Sequence, residues 1–520
     1  MELISWLAKE SKDWDSIPLI DKDHMGDIPK INVSVKMTAL YSQIKDSAWE
    51  ESKQKIKERL RPLFNLAQQN NVFLNLDMEQ YSVKHLTLEV YKELLMEPEF
   101  RSYKHFGCVI QAYLRDSLAD IQDLIDYAKS RGTPFTVRLV KGAYWDYETV
   151  EAQQRDWPIP VYLKKSESDA NYEVCAEELM KNHAVIRVAL GSHNVRTISA
   201  AIVSAQKYNV PKEAFEIQML YSMADPIKKS LVDMGYRVRE YAPVGDLIPG
   251  MAYLVRRLLE NTSNESWLRG KFAEGKTTAE LLKNPLEVLN SQALNSQVLK
   301  PQALNSEAST ANTSHVTANS KANEKVAATA FKNEALLDFA VSRHRQSVEQ
   351  AIQNLKSKLP IKVLPYLGGK EVAGTSVLDR VNPSATSEIV AQISLASVEQ
   401  AETAIQIAQQ SFKTWKYESA DKRASLLDRL ADLMVRDRYS LIATQILEVG
   451  KPWAEADGDV AEAIDFCRYY ANDFRKISKG EMVGNVPGES SWYHYQPRGI
   501  AVVIAPWNFP LAILCGMAVG

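Results

Sequence analysis

Between residues 31 and 241 one pattern keeps returning: a short β-branched or apolar run, then a longer stretch with apolar residues at helical spacing. The runs are INVSVKM (31–37), VFLNLDM (72–78), CVIQAY (108–113), FTVRLVK (135–141), VIRVALGSHN (185–194), FEIQML (215–220) and YRVREY (236–241). Among the stretches between them, Trp49–Asn70 places Ile56, Leu60, Leu63, Phe64 and Ala67 on one helical face. Seven strand–helix units in succession predict a parallel sheet covered by helices.

The polar residues refine this to a barrel. The predicted strands end on Lys36, Asp77, Gln111, Arg138 with Lys141, His193, Gln218 and Tyr241. In a (βα)8 barrel the C-terminal strand ends converge on one mouth, where the active site sits. Any one of these residues alone reads as a solvated or capping group. All of them at the same end of their strands read as a site. The fold expected is therefore an α/β, TIM-like (βα)8 barrel, but only seven strands are visible. Before Ile31 the pattern predicts a helix (Leu3–Asp13) and a polar loop, with no first strand.

From about Asn284 to Asn333 the composition changes to Ser, Asn, Ala and Gln, with a loose LNSQ/LNSE repeat and no aromatic residue before Phe331. Such a segment buries too little apolar area to offset its chain entropy, so it is expected to be a flexible linker. The expected domains are 1–283, the linker 284–333, and 334–520. A net charge of −3 gives no electrostatic case for nucleic acid. The four cysteines never form CxxC, which argues for a reducing compartment and against disulfides or zinc. MELISWLAKESKDWDS lacks the basic and apolar regions of a secretory signal. A cytoplasmic location is expected.

Two segments carry candidate chemistry. VRLVKGAYWDYE (137–148) sets Arg138, Val140 and Gly142 on alternate positions, followed by aromatic residues. A central strand arginine needs a partner, because an unpaired buried charge is costly. Gly142 allows close approach of a ligand, and Trp145 offers a stacking surface; an ion pair beside a core Trp is the plainer reading. In YAPVGDLIPGMAYLVRRLLENTSNESW (241–267), Arg256 and Glu260 stand four residues apart, as an exposed helix ion pair would. The apolar neighbours of Arg256 and Arg257 equally suit a desolvated carboxylate clamp. Spacing alone does not decide between the two.

INVSVKMTAL, LNLDMEQY, GCVIQAYLRD, VRLVKGAYWDYE, GSHNVRT, FEIQMLYSM and REYAPVGDLIPGMAYLVRRLLENTSNES, in that order, resemble the proline dehydrogenase domain of the bifunctional proline utilization A flavoenzymes. The resemblance covers about 30–270. It implies a (βα)8 barrel with non-covalent FAD that oxidises L-proline to Δ1-pyrroline-5-carboxylate and passes electrons to a membrane quinone. By the same resemblance Arg256, Arg257 and Lys36 clamp the proline carboxylate, Glu260 and Asp77 hold those cations, and Tyr241, Tyr253 and Leu220 shape the ring pocket. Gln111, Arg138, Val140, Gly142, Trp145, His193 and Gln218 match FAD-contacting positions, with Arg138 near flavin N5, where negative charge develops. FAD comes from the resemblance alone, since the chain has no GxGxxG. An oligomer, and peripheral association at the inner membrane, are compatible with the family.

The later part looks like the opening of an NAD(P)-dependent aldehyde dehydrogenase, through LDRVNPSATSEIV, LEVGKPWAEADGDVAEAIDFCRYYA and GIAVVIAPWNFPLAI. In proline utilization A this is the NAD-linked L-glutamate γ-semialdehyde dehydrogenase. Asn508 of PWNFP matches its oxyanion-stabilising Asn. The family's catalytic Cys, general-base Glu and Gly-rich cofactor turn are not found, and Cys515 is expected to be a buried thiol. No metal is implied. The expectation is a fragment of a longer bifunctional product, with the aldehyde dehydrogenase half inactive. The alternatives are an inactive remnant and, unrelated to it, a (βα)8 lyase using Lys36 as a Schiff-base amine.

Residues 500–520 carry no charged side chain, which is the length class of a membrane span. Pro506, Pro510 and Asn508 disfavour a spanning helix. The resemblance implies instead a buried strand, the Asn-bearing turn and the start of a core helix. As an exposed apolar end it is the expected aggregation site, and deleting 500–520 is expected to improve solubility.

Overall fold

The computed structural model describes residues 1–246, 248, 250–251, 253–255, 277–289 and 331–520. These divide into two compact units, one carrying a seven-stranded sheet and the other the residues from 331 onward. The expected linker falls largely outside the described residues.

The sheet of the first unit is parallel throughout and follows chain order: β1 (Asn32–Lys36), β2 (Phe73–Asp77), β3 (Phe106–Gln111), β4 (Thr136–Val140), β5 (Arg187–Gly191), β6 (Phe215–Leu220) and β7 (Val238–Tyr241). All seven match the runs read from the sequence. Its helices are α1 (Glu2–Glu10), α2 (Trp49–Gln69), α3 (Tyr81–Met96), α4 (Ser117–Arg131), α5 (Trp145–Arg155), α6 (Lys165–Lys181), α7 (Val195–Lys207) and α8 (Asp225–Asp233). Local chemistry sets several ends. Asn194 accepts the Thr197 N–H at 3.2 Å to start α7, and Gly132, at φ +72°, closes α4.

Along each strand the side chains alternate between two very different layers. Val33, Leu74, Leu76, Cys108, Ile110, Val137, Leu139, Val188, Leu190, Ile217 and Met219 point outward into one core with the helices. There they meet Ile56, Leu60, Leu63, Phe64 and Ala67, the face predicted for α2, all of it buried. Each Val, Leu, Ile, Phe or Met among them contributes about 1.5–3 kcal/mol by burial. The intervening residues are largely polar: Ser34, Asn75, Asp77, Gln111, Arg138, Glu216, Gln218, Arg239 and Tyr241. The sheet thus has an apolar outer face and a polar inner one.

The sequence before β1 forms more than a loop. Lys22–Asp23 pairs antiparallel with Gly26–Asp27, the Asp23 carboxylate pairs with Arg187, and the Lys22 carbonyl accepts from Arg237 at 2.7 Å. This hairpin seals the N-terminal end of the sheet. It escaped prediction because its two-residue strands contain no apolar or β-branched residue.

In the second unit, helices Ser342–Lys356, Ala420–Arg436, Arg438–Val449 and Trp453–Ile477 enclose a core including Val348, Met434, Ile442, Val460, Ile464 and Cys467. A three-stranded sheet runs Ile361–Val363, Ala385–Leu395, Ser376–Asn382 in spatial order. The apolar run near residue 500 departs from expectation. Residues 494–505 form no strand, and Val502 and Ile504 are 75% and 82% exposed. A strand needs a neighbour for its backbone groups, and none lies beside this segment among the described residues. The expected helix does form, at Ala512–Val519, and packs Leu511, Ala512, Cys515 and Val519 against the core. Deleting 500–520 would therefore strip a packed helix along with an exposed apolar segment.

Candidate active site

The site is built where the polar inner face meets the C-terminal strand ends. Its centre is Arg138, 7% exposed on β4. Arg138 donates to Asp77 Oδ1 at 2.7 Å and to Ser34 Oγ at 3.1 Å. Asp77 also accepts from Asn75 at 3.0 Å and, through Oδ2, from the Tyr241 hydroxyl at 3.0 Å. The Arg138 guanidinium carbon lies 5.5 Å from the Tyr241 ring centre. Burial, reinforced by the neighbouring Asp77 charge, pushes the Tyr241 phenol well above its ordinary range, so it stays a protonated donor.

Lys36, ending β1, lies 3.3 Å from the Tyr144 hydroxyl and 3.9 Å from Glu79 Oε1. Glu79 is held by Thr38, which donates from its hydroxyl at 2.7 Å and its backbone N–H at 3.2 Å. Tyr253, also expected in the ring pocket, has its ring 6.4 Å from that of Tyr241 and near-parallel. Leu220 ends β6, and its N–H donates to His193 Nε2 at 2.8 Å. Gln218, two residues earlier, donates to Glu216 Oε1 at 2.5 Å.

Two further features suit a large ligand. Gln111 Oε1 and Arg138 Nε are buried and without a hydrogen-bond partner among the described residues. Buried polar atoms are rarely left so. Gly142 adopts φ +129°, and a Cβ there would stand 2.4 Å from the Tyr113 ring. Beyond it Trp145 is 40% exposed and donates to the Tyr162 carbonyl at 2.8 Å. No cluster of three His, Cys, Asp or Glu suited to a metal occurs among the described residues.

Lys36, Asp77, Arg138 and Tyr241 thus come together with the strand ends bearing Gln111, Val140, His193, Gln218 and Leu220. Asp77 was expected to steady Lys36 and the two helix arginines; among the described residues its carboxylate serves Arg138, Asn75 and Tyr241. Arg256, Arg257 and Glu260 lie outside the described residues. Lys141, the other β4 end residue, turns to Asp169. Ser34, Glu79, Tyr144 and Glu216 were not foreseen as site residues. Ser34 shares the inward register of Lys36, and Tyr144 sits inside the GAYWDYE motif, so both had a readable signal.

Asn508 belongs to the second unit. Its turn is anchored where Asp459 Oδ2 accepts the Leu511 N–H at 3.1 Å, and Lys451 lies 4.7 Å over the Phe509 ring. Cys515 is partly buried, its Sγ 3.6 Å from that of Cys467.

The family model described as proline dehydrogenase matches residues 1–270, and that described as aldehyde dehydrogenase family matches 371–520. The bifunctional protein PutA of Escherichia coli K12 is 29% identical over 491 residues, which span 93% of this chain and 35% of that protein. The 1-pyrroline-5-carboxylate dehydrogenase of Geobacillus sp. WCH70 is 38% identical over 189 residues, 36% of this chain and 37% of that one. Proline utilization A from Bdellovibrio bacteriovorus, solved after inactivation by N-propargylglycine, is 58% identical with a TM-score of 0.89, and the match covers 100% of this chain and 51% of that one. The chain therefore spans about a third of the curated bifunctional relative and about half of the solved one.

Proposed function

The chain belongs to the proline dehydrogenase family, and on that premise we propose that residues 1–283 bind FAD and oxidise L-proline to Δ1-pyrroline-5-carboxylate, with a quinone as electron acceptor. The observation that carries this reading is the Arg138–Asp77–Tyr241 network. It is a fixed, buried cation at the centre of a polar inner sheet face, beside buried polar atoms that lack partners.

FAD, when bound, supplies the hydride acceptor. The protein's part is positioning and electrostatics. Gln111, Arg138, Val140, Gly142, Trp145, His193 and Gln218 would hold the cofactor, and the unpartnered Gln111 Oε1 and Arg138 Nε fit such a polar ligand. Arg138, held by Asp77 and Ser34, would keep positive charge near where the reaction builds negative charge, with little reorganisation. Lys36, steadied by Glu79 and Tyr144, would bind the proline carboxylate with Arg256 and Arg257, which Glu260 would orient. Tyr241, Tyr253 and Leu220 would exclude water from the ring.

Residues 334–520 would contribute the Asn508 turn of an NAD-linked L-glutamate γ-semialdehyde dehydrogenase, which consumes the hydrolysed product. No described helix is long and apolar enough to cross a membrane, and we place the chain in the cytoplasm, meeting its quinone at the membrane surface. The test is anaerobic mixing of the FAD-loaded protein with L-proline. Bleaching of the flavin and reduction of a dye support the reading. A colourless protein inert to L-proline overturns it, and a borohydride-trapped adduct on Lys36 would point to lyase chemistry.

A further inference from the structure

Glu216 and Gln218 stand two residues apart on β6 and both face the inside of the sheet. Glu216 is engaged on every side. Its Oε1 accepts from Gln218 at 2.5 Å and from Arg239 Nε at 2.9 Å. Its Oε2 accepts from Arg239 at 3.0 Å and lies 3.3 Å from Arg237 Nε. Burial alone would push this carboxyl up, but Arg239 foremost, with Arg237, holds it down at about 2. It is an anion at any working pH.

An amide side chain can ordinarily be turned either way round. Here it cannot, because an ionised carboxylate only accepts. Gln218 must turn its NH2 toward Glu216, and its Oε1 therefore faces away. We infer that Glu216 is a positioning residue that sets the Gln218 amide so that its carbonyl oxygen is turned away from the carboxylate and offered to FAD as a hydrogen-bond acceptor, meeting a ribityl hydroxyl or a ring N–H. The inference rests on the FAD reading above and adds which end of Gln218 the cofactor meets. The neighbouring strand end is set in the opposite sense: His193 Nε2 accepts the Leu220 N–H, so its proton sits on Nδ1.

The test is a double-mutant cycle read by FAD titration into apoprotein, using the unaltered chain, Glu216→Gln, Gln218→Met and the double variant. A Gln at 216 can donate, so it frees Gln218 to turn over. The single Glu216→Gln change should weaken FAD binding about tenfold, the worth of one misdirected hydrogen bond, and shift the visible band of the bound flavin. Neither change should appear once Gln218 is already Met. Equal losses from Glu216→Gln in both backgrounds would overturn the inference, since they would mark a merely structural role. Glu216→Asp provides a second variant that keeps the anion for Arg239 while drawing it back from Gln218. It should reproduce part of the loss, again only with Gln218 present. An unaltered protein that binds no FAD would overturn the FAD reading itself, whereas additive losses in a protein that does bind FAD would leave that reading standing.

Discussion

The Tyr241 hydroxyl donates to Asp77 Oδ2 at 3.0 Å, tying the last residue of the seventh strand to the last residue of the second. These strands lie far apart in the sheet order, so the bond crosses the inside of the curled sheet. Asp77 can make it because its other oxygen is already committed to Arg138. One carboxylate therefore fixes a cation and a phenol that no backbone pairing holds together.

Removing that carboxylate should be costly. Asp77→Ala leaves Arg138 buried without its anion, and breaking a buried pair this way costs about 3–5 kcal/mol. Tyr241→Phe removes one hydrogen bond and should cost about 1 kcal/mol. Urea denaturation of the three proteins checks the ordering, and equal stabilities would contradict the network. Both variants should slow L-proline-dependent flavin reduction, Asp77→Ala the more.

Acid should expose the contribution of Glu216. Its folded pKa of about 2 lies below the ordinary 4.5, so its stabilisation is full above pH 4.5 and is lost as pH falls toward 2. The effect is on the order of 3 kcal/mol. The stability difference between the unaltered protein and Glu216→Gln should therefore be large at neutral pH and narrow steadily in acid. A difference that stays constant would show that the carboxylate is not held ionised by Arg239 and Arg237.

Gly142→Ala should damage the cofactor end of the site. The backbone there has φ +129°, and the added Cβ would meet the Tyr113 ring at 2.4 Å. A cost of about 1–3 kcal/mol is expected from the conformation alone. FAD retention through gel filtration should fall in parallel, and unchanged retention would remove Gly142 from the cofactor site.

In the second unit, Val502→Ser with Ile504→Thr should raise solubility without lowering the melting temperature, because both side chains are mostly exposed. Gly516→Leu should do the reverse. A Cβ at 516 already comes within 2.8 Å of the Phe466 ring, so a larger side chain forces the Ala512–Val519 helix off its neighbour. Light scattering and thermal melts separate the two outcomes.

The strands were legible because Val, Ile and Leu recur in short runs, and the site's location was legible because ionisable residues gather at their ends. The pairings were not. Asp77 meets Arg138 across 61 residues and Tyr241 across 164, and local sequence carries no record of such distances. The same limit explains residues 500–505. An apolar run reports a tendency to be buried, but a strand also requires a partner, which the run cannot reveal. Glu216 was overlooked for a different reason: in FEIQML it looks like a solvated strand residue, until Arg237 and Arg239 arrive from the next strand.

The two faces of the curled sheet also divide the labour of change. Cohesion comes from the outer layer, where Leu76, Ile110, Leu139 and Ile217 interlock with helices, and a substitution there is paid for by the whole unit. On the inner face Asp77, Arg138, Glu216 and Arg239 are locked into buried ion pairs that carry stability of their own, whereas the neutral side chains between them are comparatively free to be rewritten. Such a wall can acquire a new ligand by altering residues such as Gln111 or Gln218 while the scaffold behind it stays the same, and it is on that side that divergence among related chains should collect.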